Sequence, residues 1–210
     1  ISPRISPYDS TQLIENIKKS DEIVSIKKGK WFYYYNNGEI MEETYFKPLD
    51  TNEYILNYFD TNGIKIVSNG KGSIKSYYPS GKLKVLEHIN EGVKDGNYYY
   101  YKPNGEIRKS GFYHLGKRDS TWKERFITSD QLYQINSYSK GVKNGVFKEF
   151  TSSGDLLIDG NYIAGKKNGY WIYYYSNKNI DMQGGFKDNQ QHGYWKFYYP
   201  KGQIYYEGEF

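Results

Sequence analysis

The chain contains no cysteine. That excludes disulfides, thiolate metal sites and a cysteine nucleophile, and it leaves the redox compartment open. Long apolar runs are missing as well, and nothing approaches the roughly 18 consecutive apolar residues of a membrane helix. Hydrophobic residues fill only 37% of the 210 positions, so a thick single core is not expected. Nor does charge of one sign gather in one place. The 29 basic and 24 acidic residues are interspersed and sum to +5, which describes a mixed, solvated surface with a weak pull on acidic partners. The chain begins at Ile1 rather than Met, which points to a processed product. A bacterial protein of the periplasm or cell envelope is expected rather than a cytoplasmic one.

Aromatics, by contrast, are abundant at 19%, with 26 Tyr. Disordered chains are poor in such residues, so this one folds. It must bury many half-polar rings in thin layers, which suits tyrosine because the ring packs while the hydroxyl stays near water.

Self-similarity shows how. The segments Gly145–Gly154, Gly169–Lys178 and Gly193–Gly202 share a glycine, one spacer, a large ring, further aromatics and a turn. Turn anchors fall at Gly38, Gly63, Gly81, Gly105, Ser129, Gly154, Lys178 and Gly202. Their successive separations are 25, 18, 24, 24, 25, 24 and 24, one period with a single shortened unit. The leading ring position reads Trp31, Ile74, Tyr98, Trp122, Phe147, Trp171 and Trp195. Tyr- and Phe-rich residues follow, as a pleated, half-buried surface favours. Two residues past the anchor an aliphatic returns, as Ile40, Leu83, Ile107, Leu156, Ile180 and Ile204, which marks the second strand of a hairpin. A second glycine-rich link, such as Gly141–Gly145 or Gly165–Gly169, joins one hairpin to the next. Short links pair each strand antiparallel with its neighbour. The expected fold is all-β: one elongated antiparallel meander of about eight tandem hairpins over residues 29–210. Such an array would span roughly 75 Å at the usual strand spacing.

Residues 1–28 do not fit the unit and are expected to form a cap. Asp9 with Gln12 resembles a capping box, and Leu13, Ile14 and Ile17 share a helical face, predicting a short helix from about Ser10 to Ser20. Residues Ile23 to Ile26 suit a first strand.

The pattern Gly-x-Trp-x-x-Tyr-Tyr-x-x-Gly-x-Leu, closed by Gly-x-Tyr-x-x-Gly, resembles the MORN-variant repeat. Residues Asn161 to Trp171 carry it best, and Gly184-Gly185-Phe186 and Gly208-Glu209-Phe210 match its closing half. The resemblance covers about Gly29 to Phe210. It implies a scaffold or binding surface, some related arrays contacting acidic lipids, and it extends to bacterial proteins of the YwqK type, which carry an antitoxin label. Ser120 and Ser129 stand where the pattern has glycine, Lys178 replaces a turn glycine, and the unit at Gly63 is truncated, so a change of curvature is expected in the middle.

No catalytic constellation accompanies the repeats. His88, His114 and His192 occupy different positions of different repeats, whereas a metal site needs converging ligands. Glu42 and Glu43 are adjacent and would point to opposite faces of a strand, a poor acid–base couple. The Gly92–Gly96 spacing lacks the Lys-Ser/Thr and helix of a phosphate loop, and no Gly-x-Ser-x-Gly elbow occurs. A non-enzymatic chain without cofactor or metal is expected.

Counting from the leading ring, positions 0, +2 and +4 share one face and keep the tryptophans, which assigns that face to packing. Positions +1 and +3 share the other: Tyr34, Lys75, Tyr77, Tyr99, Tyr101, Lys123, Arg125, Lys148, Tyr174, Lys196 and Tyr198. Two readings stand for this second face. One is cross-strand tyrosine packing under lysine stems. The other is a docking surface for another protein, since Tyr and Arg are enriched at interfaces. Acidic lipid or a glycan is the alternative ligand, with an antitoxin-like neutralising role a further one. Nucleic acid is not expected, because the excess charge is small and no nucleic-acid motif appears.

Overall fold

The computed structural model describes residues 4–5, 13–19, 22–48, 50 and 52–210. Every regular element among the described residues is a β-strand. The chain divides into two units, each an open antiparallel sheet. The first comprises Ile1–Ser76 and Leu86–Gly96, the second Tyr77–Val85 and Asn97–Phe210.

The first unit holds β1 (Arg4–Ile5), β2 (Leu13–Lys19), β3 (Glu22–Tyr34), β4 (Ile40–Phe46), β5 (Glu53–Phe59), β6 (Lys65–Ser68) and most of β7 (Lys71–Tyr77). Residues of β8 (Leu83–Asn90) and β9 (Val93–Tyr101) are divided between the two units. The second continues through β10 (Ile107–His114), β11 (Lys117–Arg125), β12 (Leu132–Ser139), β13 (Val142–Phe150), β14 (Leu156–Ile163), β15 (Lys166–Tyr174), β16 (Ile180–Lys187), β17 (Gln190–Tyr198) and β18 (Ile204–Glu209). From β10 to β18 each strand pairs antiparallel with the next, so the predicted meander is the observed topology.

Two turn chemistries alternate along this meander. The first is a pair of residues both at positive φ: Leu115–Gly116, Lys140–Gly141, Ala164–Gly165 and Asp188–Asn189. These close two-residue loops between paired ends such as Ile163 and Lys166. Positive φ at both central residues is the type I′ turn, whose twist matches that of the flanking strands. The glycine-rich links of the sequence are therefore tight hairpins in their own right. At the other end lie the longer anchor turns. There the Gly202 N–H donates to the Tyr199 carbonyl (2.8 Å), and the Tyr199 N–H to that of Gln203 (2.8 Å). The aliphatics that follow the anchors, from Ile40 to Ile204, each open their strand.

The shortened unit has a simple basis: β6 has only four residues between the turn at Gly63 and the Asn69–Gly70 turn. The first unit gathers an aliphatic core of Val67, Ile74 and Ile89, with Ile55 and Tyr58 against it.

The predicted N-terminal helix is corrected. Residues Leu13–Lys19 form a strand whose partners run from Leu13↔Lys28 to Lys19↔Glu22. Leu13 and Ile17 fit a two-residue repeat as well as a helical face, and pairing with the β-rich stretch after Glu22 decides between them. The Asp9 and Gln12 capping pair lies outside the described residues. β3 also runs through residue 28, pairing with β2 before it and with β4 after it.

Candidate binding surfaces

Alternation along β11 to β18 gives the second unit two unlike faces. On one, the ring face, Trp122, Phe147, Trp171 and Trp195 are between 0% and 6% exposed. Their burial arises within the sheet. Eleven residues before each tryptophan stands a glycine (Gly111, Gly160 or Gly184), and a Cβ built on it overlaps the indole. Each indole thus lies flat over the backbone of the preceding strand. Its N–H donates to the carbonyl of the next residue along: Trp122 to Phe112 (3.2 Å), Trp171 to Asn161 (3.2 Å) and Trp195 to Gly185 (2.9 Å). Edge-on rings close the sides, with Tyr162 perpendicular to Trp171 at 5.2 Å and Phe186 to Trp195 at 5.0 Å. Such pairs contribute about 0.5–1.5 kcal/mol beyond area burial.

Cations supply the lid. Four residues before the leading ring stand Arg118, Lys143 and Lys167, which lie over Trp122 (4.6 Å), Phe147 (5.2 Å) and Trp171 (4.7 Å). Lys27 does the same over Trp31 in the first unit, at 4.8 Å. Register places these cations opposite rings, Arg118 against Tyr113, Lys143 against Tyr138 and Lys167 against Tyr162. The result is a cross-strand row of alternating ring and cation. Burial works against the charge of Arg118, but the hydroxyls of Tyr113 and Tyr138 outweigh it and raise its pKa. The cations are therefore packing elements as much as surface charge.

A further contact joins successive hairpins at the anchor end. The +4 side chain reaches a carbonyl of the following hairpin: Tyr35 to Phe59 (2.7 Å), Tyr78 to Tyr101 (2.6 Å) and Tyr175 to Tyr198 (2.7 Å). In the unit of Tyr98 the position is Lys102, only 3% exposed, whose ammonium donates to the Ser129 carbonyl and to Glu106 at 3.0 Å.

On the opposite face the +1 row runs Ser110, Lys123, Ile135, Lys148, Asp159, Ile172, Gln183, Lys196 and Glu207 in direct register. Of the residues expected to form a docking face, Lys75, Tyr77 and Lys123 are exposed. Tyr34, Tyr99, Tyr101, Arg125, Lys148, Tyr174, Lys196 and Tyr198 are half-buried. Several are engaged with neighbours. Lys148 pairs with Asp159 (2.8 Å), Arg125 with Asp130 (3.3 Å), and the Tyr99 and Tyr101 rings lie 6.2 Å apart. The Tyr198 hydroxyl accepts from Gln183.

In the later repeats, exposed rings also stand one residue before the leading position. Tyr170 is 57% and Tyr194 50% exposed, with Val146 in the equivalent place. Alternation puts this −1 row on the same face as +1 and +3, a signal already present in the strand period but obscured by the neighbouring tryptophans.

The three histidines stay apart in role. His88 Nδ1 bonds the Ser73 hydroxyl at 2.8 Å, and His192 is exposed. Among the described residues no three His, Asp or Glu side chains are placed to hold a metal ion.

This geometry defines a tandem β-hairpin repeat whose rings are packed strand against strand. The model of the MORN repeat variant matches the chain at three positions, residues 27–47, 71–91 and 191–210. Repeats of this class are commonly protein- or membrane-binding units. No curated protein matches the chain.

Proposed function

We propose that the chain is a non-enzymatic protein-interaction module or scaffold that docks its partner through the face opposite the tryptophans. The observation that supports this is the contrast between the two faces. Leading rings are consumed by packing, whereas Tyr170 and Tyr194 stand exposed beside the Lys123–Glu207 row. Tyrosine offers large contact area at little entropic cost, and mixed charge around it sets register with a partner. Within the second unit, the face that docks is the one on which Lys123, Lys148, Lys196 and Tyr198 were expected, with its centre moved to the −1 row.

The test is affinity capture from native extract followed by cross-linking. A stoichiometric partner is expected with the wild-type chain and not with Tyr170→Ser/Tyr194→Ser. Equal recovery with both, or no stoichiometric partner at all, would sink the reading.

The second reading, an acidic-lipid or glycan binder, draws on the ring–cation row of Arg118, Lys143 and Lys167. Flotation with anionic vesicles separates the two readings, since electrostatic binding weakens in salt. The antitoxin label of YwqK-type proteins describes another case of protein binding, and the same capture experiment addresses it.

A further inference from the structure

Tyr170 on β15 and Tyr194 on β17 are equivalent residues of successive repeats, 57% and 50% exposed on one face of the sheet. Register puts Gly185 of β16 opposite Tyr170, so the strand between the two tyrosines presents no side chain in their row. Earlier rows are filled, with Ser137 of β12 and Asn161 of β14 in the place of Gly185. The backbone enforces the gap. A Cβ on Gly185 would stand 2.6 Å from the His192 carbonyl oxygen, and no side chain from another strand lies within 4 Å of that point. Two open phenol rings thus wall a slot with a bare backbone floor.

Size and charge select what fits between them. The walls stand two strands apart, about 9.6 Å. A flat ring in contact with both would need only about 7–8 Å, so it is too thin. A trimethylammonium group is rounder. Centred in the slot, it sits about 4.8 Å from each wall, inside the roughly 6 Å reach of a cation over an aromatic face. Glu207 is drawn to Lys196 at 3.9 Å, whereas Glu209, opposite Tyr194 on β18, is exposed and makes no ion pair among the described residues. Towards the tight turn the sign reverses. Lys187 lies two residues further along β16 on the same face, about 6.8 Å from Gly185. Both Lys187 and His192, the register partner of Gly185, are exposed.

We infer that this slot binds a zwitterion of the phosphocholine type, its quaternary ammonium between Tyr170 and Tyr194 and its phosphate towards Lys187 and His192. A quaternary ammonium has no N–H to satisfy, which suits walls that offer ring faces rather than oriented acceptors. A lysine ammonium is strongly hydrated and would lose water without replacement. A simple anion gains nothing from the negative faces of the rings. Binding here goes beyond the docking reading, although both use Tyr170 and Tyr194. Occupancy is measured without a protein partner, so either reading can fail alone.

The experiment follows the Gly185 and Tyr194 backbone amide signals of the full 15N-labelled chain by NMR. Phosphocholine, choline, inorganic phosphate and the tert-butyl analogue of phosphocholine, which lacks the positive charge, are titrated separately. Saturation is expected with phosphocholine at millimolar concentration, several-fold weaker with choline, and with neither of the others. Tyr170→Leu and Tyr194→Leu leave the tryptophan cages intact and should each weaken binding about threefold. Lys187→Met should lower phosphocholine affinity to that of choline and leave choline unchanged, with the spectrum still dispersed. Flotation with phosphatidylcholine vesicles separates the sources. Co-migration identifies a lipid headgroup, and saturation by free phosphocholine without co-migration identifies a soluble one. Equal response to the tert-butyl analogue, unchanged affinity in both tyrosine variants, or no saturation with phosphocholine overturns the inference.

Discussion

Two neighbouring stretches of the same sheet treat the leading ring differently. From β14 to β17 the rule is strict: glycine beneath, indole above and N–H to the next carbonyl, with Lys167 over Trp171 and Gln191 at the same sequence position before Trp195. From β11 to β13 the floor is Asn136, the ring above it shrinks to Phe147, and Glu124 and Glu149 replace aromatics. The three changes belong together. Asparagine fills space an indole needs, so a smaller ring sits there. A polar floor in turn calls for polar neighbours, because a lone buried amide is costly. Regular repeats spend their interior on packing, whereas the irregular one retains unmet hydrogen-bonding capacity.

Truncation tests the comparison most strongly. Trp171→Ala should cost about 3–5 kcal/mol in urea unfolding, since its whole cage loses its centre. Phe147→Ala should cost less, because its floor is already loosely satisfied; equal losses would remove the distinction. Next in size is Gly160→Ala, whose Cβ meets the Trp171 ring and should destabilise by about 1–3 kcal/mol. Asn136→Gly should be neutral or stabilising within about 1 kcal/mol, since it removes the unpaired Oδ1. A loss at Asn136→Gly as large as at Gly160→Ala would show that both floors perform the same structural work.

These floors also mark the limit of what could be read from residues alone. Period, hairpins and the shortened unit were legible because turn chemistry is local and repeats in register. Ser120 and Lys178 were visible as departures, and both hold positive φ (+57° and +72°), so the backbone keeps its path where the glycine is missing. The role of Gly160 and Gly184 was hidden, because an indole eleven residues away becomes their neighbour only after pairing. The N-terminal helix was misread for a related reason: a short apolar run is ambiguous until it has a partner strand. Of the two faces, alternation was legible, but the exposure of Tyr170 and Tyr194, one position before the leading ring, was not, because the tryptophans beside them dominate the pattern.

Smaller effects test the departures. Ser120→Gly should stabilise by about 1 kcal/mol or less, relief of left-handed backbone being offset by glycine's freedom in the unfolded chain. Lys178→Gly should gain less than Ser120→Gly, since it loses the exposed pair with Asp155 at 2.8 Å. The smallest effect is on pH dependence. The Lys140 backbone N–H, 3.1 Å from Asp119, holds that carboxyl below its usual value of 3.8. A depressed folded pKa contributes stability that is present above 3.8 and lost as pH falls through the lower folded value. Asp119→Asn should therefore flatten the acid end of the stability curve and leave the neutral region almost unchanged, as followed by unfolding at a series of pH values.

The bonds that join successive hairpins carry a consequence for how the chain assembles. The Gly141 N–H donates to the Arg118 carbonyl at 2.7 Å, and the Gly165 N–H to that of Lys143 at 2.8 Å. Each hairpin closes on its own tight turn and then meets a partner formed a few seconds earlier in synthesis, at ribosomal rates of about 5–20 residues per second. Local contacts of this kind favour rapid folding. Assembly should therefore advance as a growing front along the chain. The front would be slowest at the strand bearing Asn136, which makes that strand the natural place for hydrogen exchange to divide the second unit into an early and a late cooperative block.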